Sequence, residues 1–305
     1  MNRSPDGLHW SAPFVAARKP NGTDGILFDK EWIACDNGAA SPYFGRCYLS
    51  YSDIDQLRLA TQTSSDGGRT WSAAVSSADN TGHAAIVGPF APAPQPVVLP
   101  GGMLVVPVYD DGIYVVRSSD GGATMSNKTL VAPSAFSISS SLRSAPFPSA
   151  EPDADGTVMM AWPDCAARGV CAGNDLLFSR SSDGVTWTAP TRIDLGAGNH
   201  VICGLAADPT RVGRVAVAYY TESAFRLDVH LVWSSDSGGT WSRPVLLSPE
   251  RMPYRRLAYA GGVMVGDYIS TSFAGERAVA VFTLAQSMLR GKLRQATYAA
   301  SVAVP

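Results

Sequence analysis

An all-β propeller of four-stranded blades is the fold class that the sequence predicts, and two observations carry the prediction. A short Ser/Asp/Gly/Thr/Trp turn motif recurs at nearly even intervals, and runs of alternating apolar and polar residues fill the space between its copies. No run of helical period interrupts this pattern.

The motif opens the chain as Ser4-Pro5-Asp6-Gly7-Leu8-His9-Trp10. It recurs as Ser64-Ser65-Asp66-Gly67-Gly68-Arg69-Thr70-Trp71, as Ser118-Ser119-Asp120-Gly121-Gly122-Ala123-Thr124-Met125, as Ser181-Ser182-Asp183-Gly184-Val185-Thr186-Trp187 and as Ser234-Ser235-Asp236-Ser237-Gly238-Gly239-Thr240-Trp241. The aspartates lie 60, 54, 63 and 53 residues apart, a blade-sized interval. The composition suits a hairpin turn: Asp accepts backbone N–H groups two or more residues ahead, Gly supplies positive φ, and Trp packs the turn onto its blade.

The elements follow in order. Strands are predicted over 32–36, 47–52 and 57–63 before the second copy, and over 96–99, 103–109 and 113–117 before the third. The fourth and fifth copies follow 147–151, 158–162 and 176–180, and then 204–207, 215–220 and 227–233. Three more runs, 268–273, 278–284 and 293–299, close the sequence. Five similar units over 1–305 make one propeller domain; a sandwich fits such repetition poorly. The chain opens at a turn motif without the three strands that should precede it. A six- or seven-bladed parent, with a signal peptide upstream, is therefore expected; otherwise five blades close the ring.

With 46% hydrophobic and 16% charged residues, 305 residues supply a large core. The net charge is −2 and no Lys/Arg run tracks phosphates or anionic lipid, so nucleic acid and membrane are not expected partners, and a monomer is expected. Cys35 and Cys47 fall on adjacent predicted strands, and Cys165 and Cys171 flank one loop. Both pairs read as disulfides of a secreted protein, with Cys203 left over; buried free thiols are the alternative. The four histidines are scattered and no CxxC pair occurs, so neither a metal site nor a cofactor is expected.

The S-x-D-x-G-x-T-W motif is the Asp box, and through it nearly the whole chain resembles the sialidase superfamily of Asp-box, or BNR-repeat, propellers. Asp29-Lys30-Glu31-Trp32-Ile33-Ala34-Cys35-Asp36 and Gly266-Asp267-Tyr268-Ile269-Ser270 are similar to blade-opening segments of secreted bacterial members. In that superfamily the box serves structure, so its aspartates are not expected to be catalytic. The resemblance implies an exo-sialidase-like glycoside hydrolase acting on acidic glycans. The Phe/Tyr-Arg-Ile-Pro segment that carries the first arginine of the sialidase triad has no counterpart here. A non-catalytic glycan- or protein-binding propeller on the same face therefore stays open beside the enzyme.

Ligands bind propellers on the face where second strands end and first strands begin. There the sequence places Asp29, Lys30, Glu31 and Trp32, Asp53 and Asp55, Tyr109, Asp110 and Asp111, and Arg143. Asp164 and Arg168, Tyr219, Tyr220 and Glu222, then Arg255, Arg256, Asp267 and Tyr268 follow. Arginine forks pair with a carboxylate, aromatics cover sugar faces and carboxylates do acid–base work. By resemblance Tyr268 is the candidate nucleophile, Glu222 its base, and Asp53 or Asp55 the acid. Arg143, Arg255, Arg256, Asp29, Glu31, Trp32, Tyr109 and Asp110 are candidates for holding the glycan.

Overall fold

The structure, a computed structural model, describes residues 1–18, 28–54, 56, 58–79, 93–138 and 141–305. It is all-β, with five propeller blades of antiparallel strands; the α-helix is absent from the described residues. The chain divides into two compact units, Met1–Val131 and Ala132–Pro305.

In the first unit, β1 (Phe28–Cys35), β2 (Cys47–Asp53) and β3 (Arg58–Ser64) form one sheet. The second sheet runs β4 (Val97–Val98), β5 (Leu104–Tyr109), β6 (Gly112–Ser118), β7 (Thr129–Pro133), the last strand ending just past the unit boundary. The outer edge of β3 is met by a single bridge, Thr61 to Val75, where a full fourth strand was expected. Cys35 faces Cys47 across the β1–β2 ladder, and the two form a disulfide with Cα atoms 4.0 Å apart.

The second unit contains a sheet of β8 (Ser149–Pro152), β9 (Val158–Asp164), β10 (Asp175–Ser181) and β11 (Thr191–Ile193). Beside it stand β12 (Asn199–Ala207), β13 (Val215–Ser223), β14 (Arg226–Ser234) and β15 (Val245–Leu246), with β16 (Met252–Pro253) on the far end of β14. A small hairpin, β17 (Ala258–Tyr259) and β18 (Val263–Met264), precedes the last sheet of β19 (Ser270–Ala274), β20 (Arg277–Leu289) and β21 (Lys292–Ala303). The short strands β16 to β18 lack the alternation that marks longer strands, and the sequence does not announce them.

Inner strands are buried on both faces and read as continuous apolar runs. Strand β9, Val-Met-Met-Ala-Trp-Pro-Asp, is wholly buried, as is the body of β13. Seams between blades are then filled by the largest side chains. The Tyr220 hydroxyl, for instance, donates to the Thr283 carbonyl at 3.0 Å and accepts the Thr283 amide at 2.9 Å. Tyr219 is buried between the rings of His200 and His230. Both tyrosines, placed by sequence on the ligand face, are packing residues.

Each Asp box is a hairpin turn built round its aspartate. Asp120 accepts the amides of Ala123 and Thr124, each at 3.0 Å, and the Thr124 hydroxyl at 2.5 Å, while the Ser118 hydroxyl donates to it at 2.7 Å. Asp66, Asp183 and Asp236 repeat the pattern with their own Ser and Thr partners. At Gly122 the backbone is left-handed, and a Cβ there would lie 2.4 Å from Thr63 Cγ2. Glycine thus lets the box close against the preceding blade.

Candidate functional site

In the second unit, two strand ends and one bridged loop line an open cleft of ≈ 440 Å³, within the range of small-ligand sites. Its lining includes Ser137, Arg168, Gly173, Gly198, Asn199, Glu222 and Ser223.

The loop after β9 is made rigid by the Cys165–Cys171 disulfide, whose Cα atoms are 4.8 Å apart. Within it Ala166–Arg168 makes one 3₁₀ turn. Buried Asp164 anchors that turn, accepting the Ser134 hydroxyl at 2.7 Å and the Ala166 amide at 2.7 Å. Arg168 then donates to buried Asp175 at 2.5 Å, and Arg192 reaches the other Asp175 oxygen at 2.9 Å. Two guanidinium groups therefore flank the buried Asp175 carboxylate, with buried Asp164 a second negative charge at the start of the same loop.

Asn199 and Glu222, which also line the cleft, face each other across the β12–β13 ladder. The Asn199 side-chain amide donates to Glu222 Oε2 at 2.7 Å, and the Tyr254 hydroxyl makes a short hydrogen bond to Glu222 Oε1. Both carboxylate oxygens are thus fixed. Asn199 Oδ1 in turn accepts from the backbone and side chain of buried Asn174, at 2.7 and 2.9 Å, and Asn174 Nδ2 also donates to the Ser137 carbonyl at 2.9 Å. At Gly198, φ is +126° and a Cβ would stand 2.5 Å from Thr221 Cγ2, so any side chain would collide with the strand that carries Glu222. Beneath, burial lowers the His200 imidazole to about 4, so it is neutral at pH 7 and serves the packing.

The residues singled out by sequence divide between the units. In the first, Asp110 is buried and paired with Lys128 at 2.5 Å, beside half-buried Tyr109. Asp53 is buried and lies 3.4 Å from Arg58 Nε. Asp29 accepts the Lys30 amide at 2.8 Å at an irregularity in the β1–β2 ladder, with Glu31 exposed and Trp32 half-buried opposite Ser50. Asp55 lies outside the described residues. In the second unit, Glu222 lines the cleft. Arg143 instead pairs with Asp267 at 2.9 Å and donates to the Ala260 carbonyl at 3.2 Å. Tyr268 stacks on Phe147 with ring centroids 6.1 Å apart. Arg255 is exposed, and Arg256 lies 3.1 Å from Glu250, both within the 3₁₀ turn Tyr254–Arg256.

That turn carries the residue that sequence reading passed over. Tyr254, next to the Arg255-Arg256 pair, is the tyrosine seen hydrogen-bonded to Glu222. The signal was present in the neighbouring arginines, but pairing across 32 residues of chain is visible only once β14 and β16 align Arg226 with Pro253.

Antiparallel blades closed by Asp boxes, with a polar cleft at their strand ends, define an Asp-box propeller. The chain belongs to the BNR repeat-like domain family, whose sequence model matches residues 2–301. No curated protein matches the chain by sequence. Among solved structures it is similar to an α-L-arabinofuranosidase from Fusarium graminearum, with 12% identity and a TM-score of 0.50 over 91% of this chain and 93% of that one. It is similar also to the NanB sialidase from Streptococcus pneumoniae, with 10% identity and a TM-score of 0.51 over 92% of this chain and 60% of that one. At such identities the likeness is one of fold.

Proposed function

We propose that this protein is an exo-sialidase-like glycoside hydrolase that acts on acidic glycans at the cleft of the second unit. One observation carries the reading: Glu222 and Arg168 both line the cleft, and the hydroxyl of buried Tyr254 is hydrogen-bonded to Glu222. Free tyrosine, with a pKa near 10, is a weak nucleophile at neutral pH. A carboxylate in hydrogen-bond contact takes its proton as the oxygen attacks the anomeric carbon, the glycosidic C–O bond breaks and the leaving oxygen takes a proton from water. A neutral phenol also approaches an anionic sugar without the repulsion that a carboxylate nucleophile would meet. Arg168 supplies a guanidinium fork for the acid group of the glycan. The family and the similar solved structures, a sialidase and an arabinofuranosidase, support a carbohydrate ligand. Two disulfides support an exported protein, and no described helix is long and apolar enough to cross a membrane.

The test compares Tyr254→Phe with Tyr268→Phe in turnover of sialosides and uronic-acid glycans. Loss of about 10²- to 10⁴-fold in kcat for Tyr254→Phe, with a smaller loss for Tyr268→Phe, is expected. The reverse order returns the nucleophile to Tyr268. A second reading, a non-catalytic glycan-binding propeller, is favoured by the carboxylate count: Glu222 is the one carboxylate among the described residues lining the open cleft. Glycan binding by the wild type without turnover would establish that reading.

A further inference from the structure

The β13–β14 hairpin ends in a two-residue turn, Ala224-Phe225, between paired Ser223 and Arg226. Both central residues are left-handed, with φ of 48° and 58°. Tight hairpin turns of this hand favour Asn-Gly or Gly-Gly, which adopt it at little cost. A bulky residue there is strained, and such strain persists where the surroundings hold it, most often at ligand sites. Here the surroundings do hold it. The Phe225 carbonyl accepts the Tyr254 amide at 3.0 Å, and Arg226 and Leu227 pair with Pro253 and Met252.

The ring held in this way points out of the protein. Phe225 is 66% exposed, and its contact with the Tyr254 ring is edge-on, at 5.9 Å and 78°. Ser223 and Ala224 line the cleft, and Phe225 follows them at the hairpin tip with its ring against the tyrosine that holds Glu222.

We infer that Phe225 is a stacking platform for a second sugar ring, so that the site takes an oligosaccharide whose first ring lies beside Glu222. The inference rests on the glycan reading above and adds a subsite to it. Sugar rings carry C–H groups on one face, and a flat aromatic surface removes that face from water. A platform fixed in advance by its backbone loses little freedom on binding, which explains why strain is tolerated at this turn.

Titration calorimetry on the full chain tests the inference with two matched pairs: N-acetylneuraminic acid and sialyllactose, glucuronic acid and a glucuronic-acid tetrasaccharide. The variants are Phe225→Ala, Phe225→Trp and the double variant Ala224→Asn/Phe225→Gly. For the pair that the wild type binds, Phe225→Ala is expected to weaken the oligosaccharide about tenfold more than the monosaccharide, and Phe225→Trp to restore it. The double variant, carrying a favoured turn, is expected to keep or raise the thermal midpoint while losing the same oligosaccharide preference. That outcome separates a ligand role from a structural one. Equal loss for both sugar lengths, or no loss for either, overturns the platform while the glycan reading stands. No binding of any of the four sugars by the wild type overturns both.

Discussion

At the scale of single residues, the Asp-box aspartates and Glu151 show how backbone amides and burial set opposite responses to pH. Hydrogen bonds from Thr124 and Ser118 hold the Asp120 carboxyl down to about 2, and those from Thr186 and Val185 do the same for Asp183. A depressed carboxyl contributes stability that is present above its unfolded pKa near 3.8 and is lost as pH falls through about 2. Replacing Asp120 by Ala is expected to cost about 1 to 2 kcal/mol at pH 7, and the deficit should shrink below pH 3. Thermal melts at pH 7 and pH 2 check this; a large activity loss at an unchanged midpoint would give the box a chemical role instead. Glu151, half-buried on β8, behaves oppositely: burial raises it to about 7. Its ionisation opposes folding, so stability falls as pH rises from about 4.5 to 7. Glu151→Gln is expected to raise the melting temperature at pH 8 and to match the wild type near pH 4.5.

At the scale of elements, the turn motifs and the inner strands were legible because both are local signals. An Asp box announces itself within eight residues, and strands such as β9 and β13 read as apolar runs of strand length. The disulfide pairs were legible too, from cysteines on facing strands and from a bracketed loop. The Tyr254–Glu222 pair was not, because it joins a hairpin tip to a 3₁₀ turn through β16, a two-residue strand without period. Nor does composition reveal that Ala224-Phe225 adopts a conformation usually left to Asn-Gly. The Cys165–Cys171 bridge closes the loop that carries Arg168. Replacing both cysteines by Ser should lower stability by roughly 2 kcal/mol and raise KM for an acidic glycan more than it lowers kcat. An unchanged KM would separate the bridge from the cleft.

At the scale of the whole molecule, the Asp-box repeat predicted an all-β propeller, and five antiparallel blades in a BNR repeat-like chain bear it out. The proposed function rests on much less of the chain than the fold does. The blades are specified by repetition, whereas the cleft depends on a few side chains that the repeat does not dictate: Arg168 on its bridged loop, Asn199 and Glu222 on facing strands, and Tyr254 behind them. The central claim is that Glu222 does chemistry on an acidic glycan there. Steady-state turnover of a panel of sialosides and uronic-acid glycans by the wild type and by Glu222→Gln, with thermal midpoints measured alongside, tests it most directly. The account predicts sugar release by the wild type and a fall of about 10²- to 10⁴-fold in kcat for the variant at a similar midpoint. Equal turnover by the two proteins would contradict it.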